Sequence, residues 1–345
     1  MITASYKKYI LKFKNPSGTS RGILKTKETW FIILEKDGKK GIGETGLFRG
    51  LSIDDVPNYE EKLKWVCKHI NLGLDKLLNQ LIEFPSIQFG LEQAFTSLKS
   101  SNSFELFPSK FTKNNNAIAI NGLVWMGDKQ FMKSQIKEKL KTGFSCIKMK
   151  IGAIDFNSEI ELLTSIRKEF SPNEIELRVD ANGAFKPTEA LNKLEILSKL
   201  HIHSIEQPIK QGQILEMANL CEKTPLPIAL DEELIGIFTK EERRKLISHI
   251  KPQYIILKPS LVGGFKGSKE WIDLAEKNNC GWWITSALES NIGLNAIAQF
   301  TYTLNNQLPQ GLGTGGLFTN NFQSPLQVKN GALYYNNSKH WNLNL

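Results

Sequence analysis

Cysteine is sparse in this chain: 4 in 345 residues. Cys67, Cys146, Cys221 and Cys280 form no CxxC pair and no disulfide-like spacing, so they read as small buried apolar residues of a protein in a reducing cytoplasm. No apolar run approaches the roughly 18–20 residues that a membrane span needs. Residues 1–14 mix Lys7, Lys8 and Lys12 with scattered apolar positions and do not read as a signal peptide. The formal charge is +9, yet there is no dense basic arm and no nucleic-acid motif. The lysines therefore describe a solvated surface with a modest bias toward small anions, and a nucleic-acid partner is not expected. No GxSxG elbow is present. The GxGxxG match at Gly311, Gly313 and Gly316 opens no helix and sits in no βαβ unit, so dinucleotide binding is not expected.

Against these absences, 41 % hydrophobic and 23 % charged residues are enough for a sizeable core, and the length suits one barrel plus a smaller domain. The first 115 residues read as an α+β domain. Strands are expected at 2–13, 30–35 and 41–44, and helices at 57–81 and 85–98. Two turn-rich loops separate the strands, 15–22 (NPSGTSRG) and 45–50 (TGLFRG), and 109–116 reads as a polar linker. From 116 to 318 short apolar strands alternate with helices. Strands are expected at 117–124, 146–150, 176–180, 204–206, 228–231, 254–258 and 281–286. Helices are expected at 130–140, 159–169, 187–200, 240–250 and 268–277. Repeated βα units without a dinucleotide fingerprint favour a closed parallel barrel. The tail, 319–345, carries one strand-like piece at 332–335 and is expected to return to the first domain.

The chemistry lies at the strand ends. Lys148 and Lys150 close CIKMK, Asp180 closes LRVD, Glu206 closes SIE, Asp231 closes IALD and Lys258 closes IILK. In a barrel, groups at the C-terminal ends of successive strands converge on one mouth. Buried carboxylates on adjacent strands are costly unless paired or bound to a cation. With no His or Cys in matching positions, the donor set is hard oxygen and suits Mg²⁺. Lys148 and Lys150 are two apart on a strand and share a face, while Lys258 approaches from the opposite side. A lysine beside a divalent cation and a second ammonium is expected to have its pKa lowered, which makes it a usable base. His201 and His203 precede the fourth strand, at the opposite end from Glu206, and are not expected to bind metal. Trp282 and Trp283 read as barrel packing.

The ordered series Lys-x-Lys, Asp, Glu, Asp, Lys resembles the enolase superfamily over essentially the whole chain. The similarity is to the subgroup of muconate-lactonising enzymes, dipeptide epimerases and o-succinylbenzoate synthases. The resemblance implies an α/β fold, a modified TIM barrel (β/α)7β with an N-terminal α+β capping domain. It makes Asp180, Glu206 and Asp231 the ligands of Mg²⁺, with Mn²⁺ as a substitute. Lys150 becomes the base, Lys148 neutralises the substrate carboxylate and Lys258 faces the reaction from the other side. The segments TSALESNIGL (285–294) and GLGTGGLF (311–318) look like those of o-succinylbenzoate synthases; dipeptide epimerases usually carry Asp-x-Asp after the last strand. A departure is Glu233, where many relatives have Ser or Thr.

The implied substrate is a small dicarboxylate, held by Lys148, Ser286, Asn182 and Gly313, with Ser20, Arg21 and Phe48 on cap loops that close over it. The implied reaction is the syn elimination of water that yields o-succinylbenzoate for menaquinone synthesis, with Lys150 as base and then acid. Two alternatives stand beside it: an N-acylamino acid racemase or dipeptide epimerase using the same lysines, and a barrel that binds an anion without turnover.

Overall fold

The computed structural model describes residues 1–19 and 22–343; Ser20, Arg21, Asn344 and Leu345 lie outside the described residues, as do the side chains of residues 17–19. The first elements are β1 (Thr3–Thr19), β2 (Gly22–Lys36) and β3 (Lys39–Glu44). Next come α1 (Tyr59–Lys68), α2 (Leu74–Gln80), α3 (Pro85–Lys99) and α4 (Lys110–Lys113). The barrel region runs β4 (Ile118–Ala119), β5 (Gly122–Val124), α5 (Lys129–Lys141), β6 (Cys146–Lys150), α6 (Phe156–Glu169), β7 (Glu176–Asp180), α7 (Pro187–Ser198) and β8 (Ser204–Glu206). It continues α8 (Ile214–Lys223), β9 (Ile228–Leu230), α9 (Lys240–Ile250), β10 (Tyr254–Leu257), α10 (Pro259–Val262), α11 (Gly264–Lys277), β11 (Gly281–Ile284) and α12 (Asn291–Thr303). A hairpin, β12 (Leu326–Lys329) and β13 (Ala332–Tyr335), ends the chain.

In the cap, β1, β2 and β3 form an antiparallel sheet. Its apolar face (Trp30, Ile32, Leu34) packs on α1 to α3 through Tyr59, Leu63, Ile87 and Leu91. Three sequence expectations need correction here. The loop expected at 15–22 is largely strand, because β1 and β2 stay paired out to Thr19 opposite Gly22; main-chain ladder bonds need no apolar side chains. The single helix expected at 57–81 is interrupted, since Gly73 takes φ 85 after a 3₁₀ turn at Ile70–Leu72, a backbone state that glycine adopts at little cost. The polar linker at 109–116 contains α4, pinned by the fully buried Phe111.

The barrel sheet is parallel, in the order β11-β10-β9-β8-β7-β6-β5 among the described residues. The predicted strand 117–124 is split: β4 turns away to pair with β13, and only β5 enters the barrel. The ring closes through an eighth, minimal stave, Gln310 and Gly311. Gly311 N donates to Ile284 O at 2.8 Å, and Gln310 N donates to Ala119 O at 2.8 Å. A Cβ on Gly311 would collide with the Thr285 side chain, so the close approach of this stave requires glycine. The fold is thus the expected α/β modified barrel with an α+β cap. Its core is aliphatic (Ile147, Met149, Leu177, Val179, Ile205, Leu230, Leu257). The end away from the mouth is filled by Trp283 beneath the Arg178 guanidinium at 4.2 Å, with His203 against Tyr254 at 5.0 Å. The tryptophan pair packs as expected, and His203 lies far from the strand-end carboxylates.

After the last stave the chain runs back along the cap, where Thr319 N donates to Lys12 O at 2.8 Å. Phe322 packs on Tyr9 and Phe31. The β12–β13 hairpin instead lies on β4 at the barrel's rim. Two cap carboxylates meet barrel helices at their positive N-terminal ends. Glu44 accepts from Ser290 N (3.0 Å) and Gly293 N (2.9 Å) of α12. Glu92 accepts from Phe265 N and Lys266 N of α11, the latter at 3.1 Å. Among the described residues no helix is long and apolar enough to cross a membrane.

Candidate active site

Strand register builds the centre. Lys150 of β6 lies opposite Asp180 of β7, and Asp180 lies opposite Glu206 of β8, so the three form one row across the barrel. Lys148 sits one layer deeper on the same face of β6. It donates to Glu206 Oε2 at 2.6 Å and to Asp180 Oδ2 at 3.1 Å. Lys150 donates to Asp180 Oδ2 at 2.8 Å and to Asn182 Oδ1 at 2.6 Å. From the other side, Lys258, just past β10, donates to Asp231. All three carboxylates are buried, Asp180 completely.

These charges answer one another. Burial raises the Asp180 carboxyl, but Lys150 and Lys148 outweigh it and hold the group well below the usual carboxylate range. Burial, then the charge of Asp180, pushes Glu206 up to about 7 against the pull of Lys148. Burial likewise lifts Asp231 in spite of Lys258. Burial would depress Lys148 and Lys258, yet the carboxylates beside them win and both rise above the usual lysine range. Each of these ammonium groups is hydrogen-bonded to a carboxylate, and that attraction outweighs burial.

Two residues just past the strand ends support the row. Asn182, at φ 44, receives Lys150 and donates Nδ2 to Glu232 Oε1 at 3.0 Å. Gln207, at φ 40, accepts from the amides of Asp231 and Glu233, both at 3.3 Å, and donates to Glu233 Oε2 at 3.0 Å. Glu233, the departure from the family pattern, is thus engaged with Gln207 and the Gly212 amide.

Above the row lies a cavity of about 400 Å³. Its floor is Lys148, Lys150, Asp180, Asn182 and Lys258; Phe48, Leu51, Trp125 and Leu288 make an apolar wall. Ser286, Gly313 and Thr314 line another side, with Ser286 Oγ 2.7 Å from Thr314 Oγ1. The buried Thr285 hydroxyl there has no hydrogen-bond partner. The fold therefore brings together Lys148, Lys150, Lys258, Asp180, Asn182, Ser286, Gly313 and Phe48. Glu206 and Asp231 lie beneath the lysines, outside the lining. Ser20 and Arg21 lie outside the described residues. Gln207, Thr285, Thr314 and Trp125 are not marked as site residues by the sequence. Gln207 leaves a trace there as the residue following Glu206 at a strand end, and Thr285 and Thr314 lie within the segments 285–294 and 311–318; Trp125 leaves none.

Among the described residues no three ligating side chains converge on a common point; the lysine ammonium groups stand between the carboxylates. The donor set nevertheless fits a hard divalent cation. Asp180, Glu206 and Asp231 are oxygen donors on consecutive strands, and Glu206 Oε1 is buried with no hydrogen-bond partner, an arrangement that costs free energy unless a cation or donor meets it.

Residues 132–338 match the family model of enolase C-terminal domain-like proteins. The o-succinylbenzoate synthase of Desulfotalea psychrophila is 46 % identical, over 95 % of this chain and 98 % of that protein. The crystal structure of MenC from the same organism superposes with a TM-score of 0.86 at 43 % identity, covering 96 % of this chain and 99 % of that one. The muconate lactonizing enzyme of Pseudomonas fluorescens shares the fold, with a TM-score of 0.81 at 22 % identity over 96 % and 93 % of the two chains.

Proposed function

We propose, because this chain belongs to the enolase superfamily and within it to the o-succinylbenzoate synthases, that it converts 2-succinyl-6-hydroxy-2,4-cyclohexadiene-1-carboxylate to o-succinylbenzoate in the cytoplasm. The observation that carries this reading is the pair Lys150 and Lys258, which line one cavity from opposite sides over a row of buried carboxylates. Members of the superfamily use a divalent metal, here Mg²⁺ held by Asp180, Glu206 and Asp231, which supplies positive charge where the substrate carboxylate becomes more negative.

Lys150, as the neutral amine, takes the proton from the carbon beside that carboxylate, and the C–H electrons pass into the carboxylate. The resulting Lys150 ammonium then gives its proton to the hydroxyl leaving from the same face. The C–O bond breaks, water departs, the ring becomes aromatic and the amine is restored. Asn182 Oδ1 fixes the direction of the Lys150 side chain. Lys148 lowers the charge of the carboxylate layer, and Lys258 stays cationic beside the ring. Phe48, Leu51, Trp125 and Leu288 exclude water around the ring. The Ser286–Thr314 hydroxyl pair suits the far carboxylate of the succinyl arm. Gly313-Thr314-Gly315 puts no Asp-x-Asp after the last stave, which disfavours a cationic dipeptide.

The direct test follows aromatisation spectroscopically with Mg²⁺, with EDTA, and in Lys150→Ala. Turnover should require the metal and fall by at least about 10³-fold in the variant. A folded, metal-loaded protein without turnover would sink the reading. Two lysines on opposite sides also suit a racemase of N-acylamino acids. That activity would exchange the α-proton of both enantiomers with solvent deuterium.

A further inference from the structure

Lys27 takes no part in the chemistry above, yet it is buried, with 6 % of its surface exposed. From β2 of the cap its ammonium crosses to the barrel. It donates to Ala287 O and Leu288 O, both at 2.9 Å, and to Gly46 O at 3.4 Å. Burial draws its pKa down while Glu289 and Glu44 oppose the fall. Such a group is costly to bury, and the three carbonyls it reaches offset that cost.

Leu288 sits at φ 63, a left-handed state that bulky side chains rarely adopt. Both of its backbone polar groups are engaged: the carbonyl by Lys27, and the amide by Ser286 Oγ at 3.1 Å. Ser286 Oγ in turn meets Thr314 Oγ1 at 2.7 Å. The chain of contacts therefore runs Lys27, Leu288, Ser286, Thr314, and its last three members line the cavity. On the cap side, Gly46 lies two residues before Phe48, another lining residue.

We infer that Lys27 is a positioning residue for substrate specificity. It locks the left-handed turn at Leu288, so that Ser286 and Thr314 keep the spacing that receives the far carboxylate, and it ties the Phe48 loop to the same wall. The inference rests on the reading of Ser286 and Thr314 as the site of that carboxylate. Lys27 touches neither Lys150, Lys258 nor the carboxylate row in any hydrogen bond, so its loss falls on binding of the substrate arm before it falls on the chemical step.

The test compares Lys27→Met and Lys27→Arg with the wild-type enzyme in steady-state kinetics. Calorimetry with o-succinylbenzoate and competition by benzoate, which lacks the arm, complete it. In Lys27→Met, KM and the product Kd should rise at least about tenfold, kcat should stay within about threefold, and benzoate affinity should not change. Lys27→Arg should recover part of the loss. A folded Lys27→Met with wild-type KM and product affinity overturns the inference, as does an equal loss for benzoate and product, which marks a general disturbance of the site. If Lys27→Met does not fold, Lys27→Gln, which keeps a donor without the charge, should show an intermediate KM; a wild-type KM there overturns the inference equally. Wild-type protein that binds o-succinylbenzoate without turning over the diene would refute the synthase reading, while the product affinities still decide the role of Lys27.

Discussion

Lys150 and Lys258 are held differently. Asp180 and Asn182 both receive the Lys150 ammonium, whereas Lys258 is bonded to Asp231. Removing the amide in Asn182→Ala leaves Lys150 free to collapse fully onto Asp180. A misdirected base costs rate more than affinity, so kcat should fall by about tenfold or more with KM little changed. Steady-state kinetics with a circular-dichroism check of folding would measure it, and an unchanged kcat would remove Asn182 from the mechanism. Glu206 carries the complementary prediction. Its unpartnered Oε1 belongs with a cation, and Glu206→Gln should weaken Mn²⁺ or Mg²⁺ binding by about 100-fold by calorimetry. Equal affinity in the two proteins would place the metal elsewhere.

Among the elements, α11 shows how cap and barrel are joined and how the joint answers to pH. Its first amides are received by Glu92 of α3, and burial pushes that carboxyl up to about 7 from 4.5. The folded chain therefore holds a proton on Glu92 that the unfolded chain has released between those two values. The corresponding stability is complete below about pH 4.5, declines as pH rises, and is gone above about pH 7. Thermal melts from pH 5 to 8 should show Tm falling with pH, and Glu92→Gln, neutral throughout, should show a shallower fall. Identical slopes would mean that Glu92 titrates normally in the folded protein. The α12 joint differs in that Glu44 is met by two amides and by the hydroxyls of Thr29 and Ser290. Glu44→Ala strips all of these and should cost about 2–4 kcal/mol in urea denaturation. A loss below about 1 kcal/mol would show that apolar packing alone docks the cap.

At the scale of the complete chain, cap and barrel are continuous through pairings between residues hundreds of positions apart. Thr319 is bonded to Lys12 and Ser290 to Glu44, and Lys27 to Leu288. The row Lys148, Lys150, Asp180, Glu206, Asp231 and Lys258 is legible in the amino-acid sequence, as are the barrel and its cap. A strand's period and the βα repeat are local, and they carry each ionisable strand end to the same mouth wherever the barrel closes. The limits of β1, the interruption at Gly73, the helix at Phe111 and the split between β4 and β5 are not. Each depends on a ladder, a single φ angle or a buried ring rather than on periodicity. Tertiary structure alone decided the eighth stave, the Ser286–Thr314 pair, the support from Asn182 and Gln207, and the reach of Lys27. These groups meet only after loops distant in sequence have been brought together, and neutral side chains or bare backbone leave no charge pattern by which a sequence could announce them. Which carboxylates share a row is thus a local property of this chain; how the cavity above them is shaped is a property of its closure.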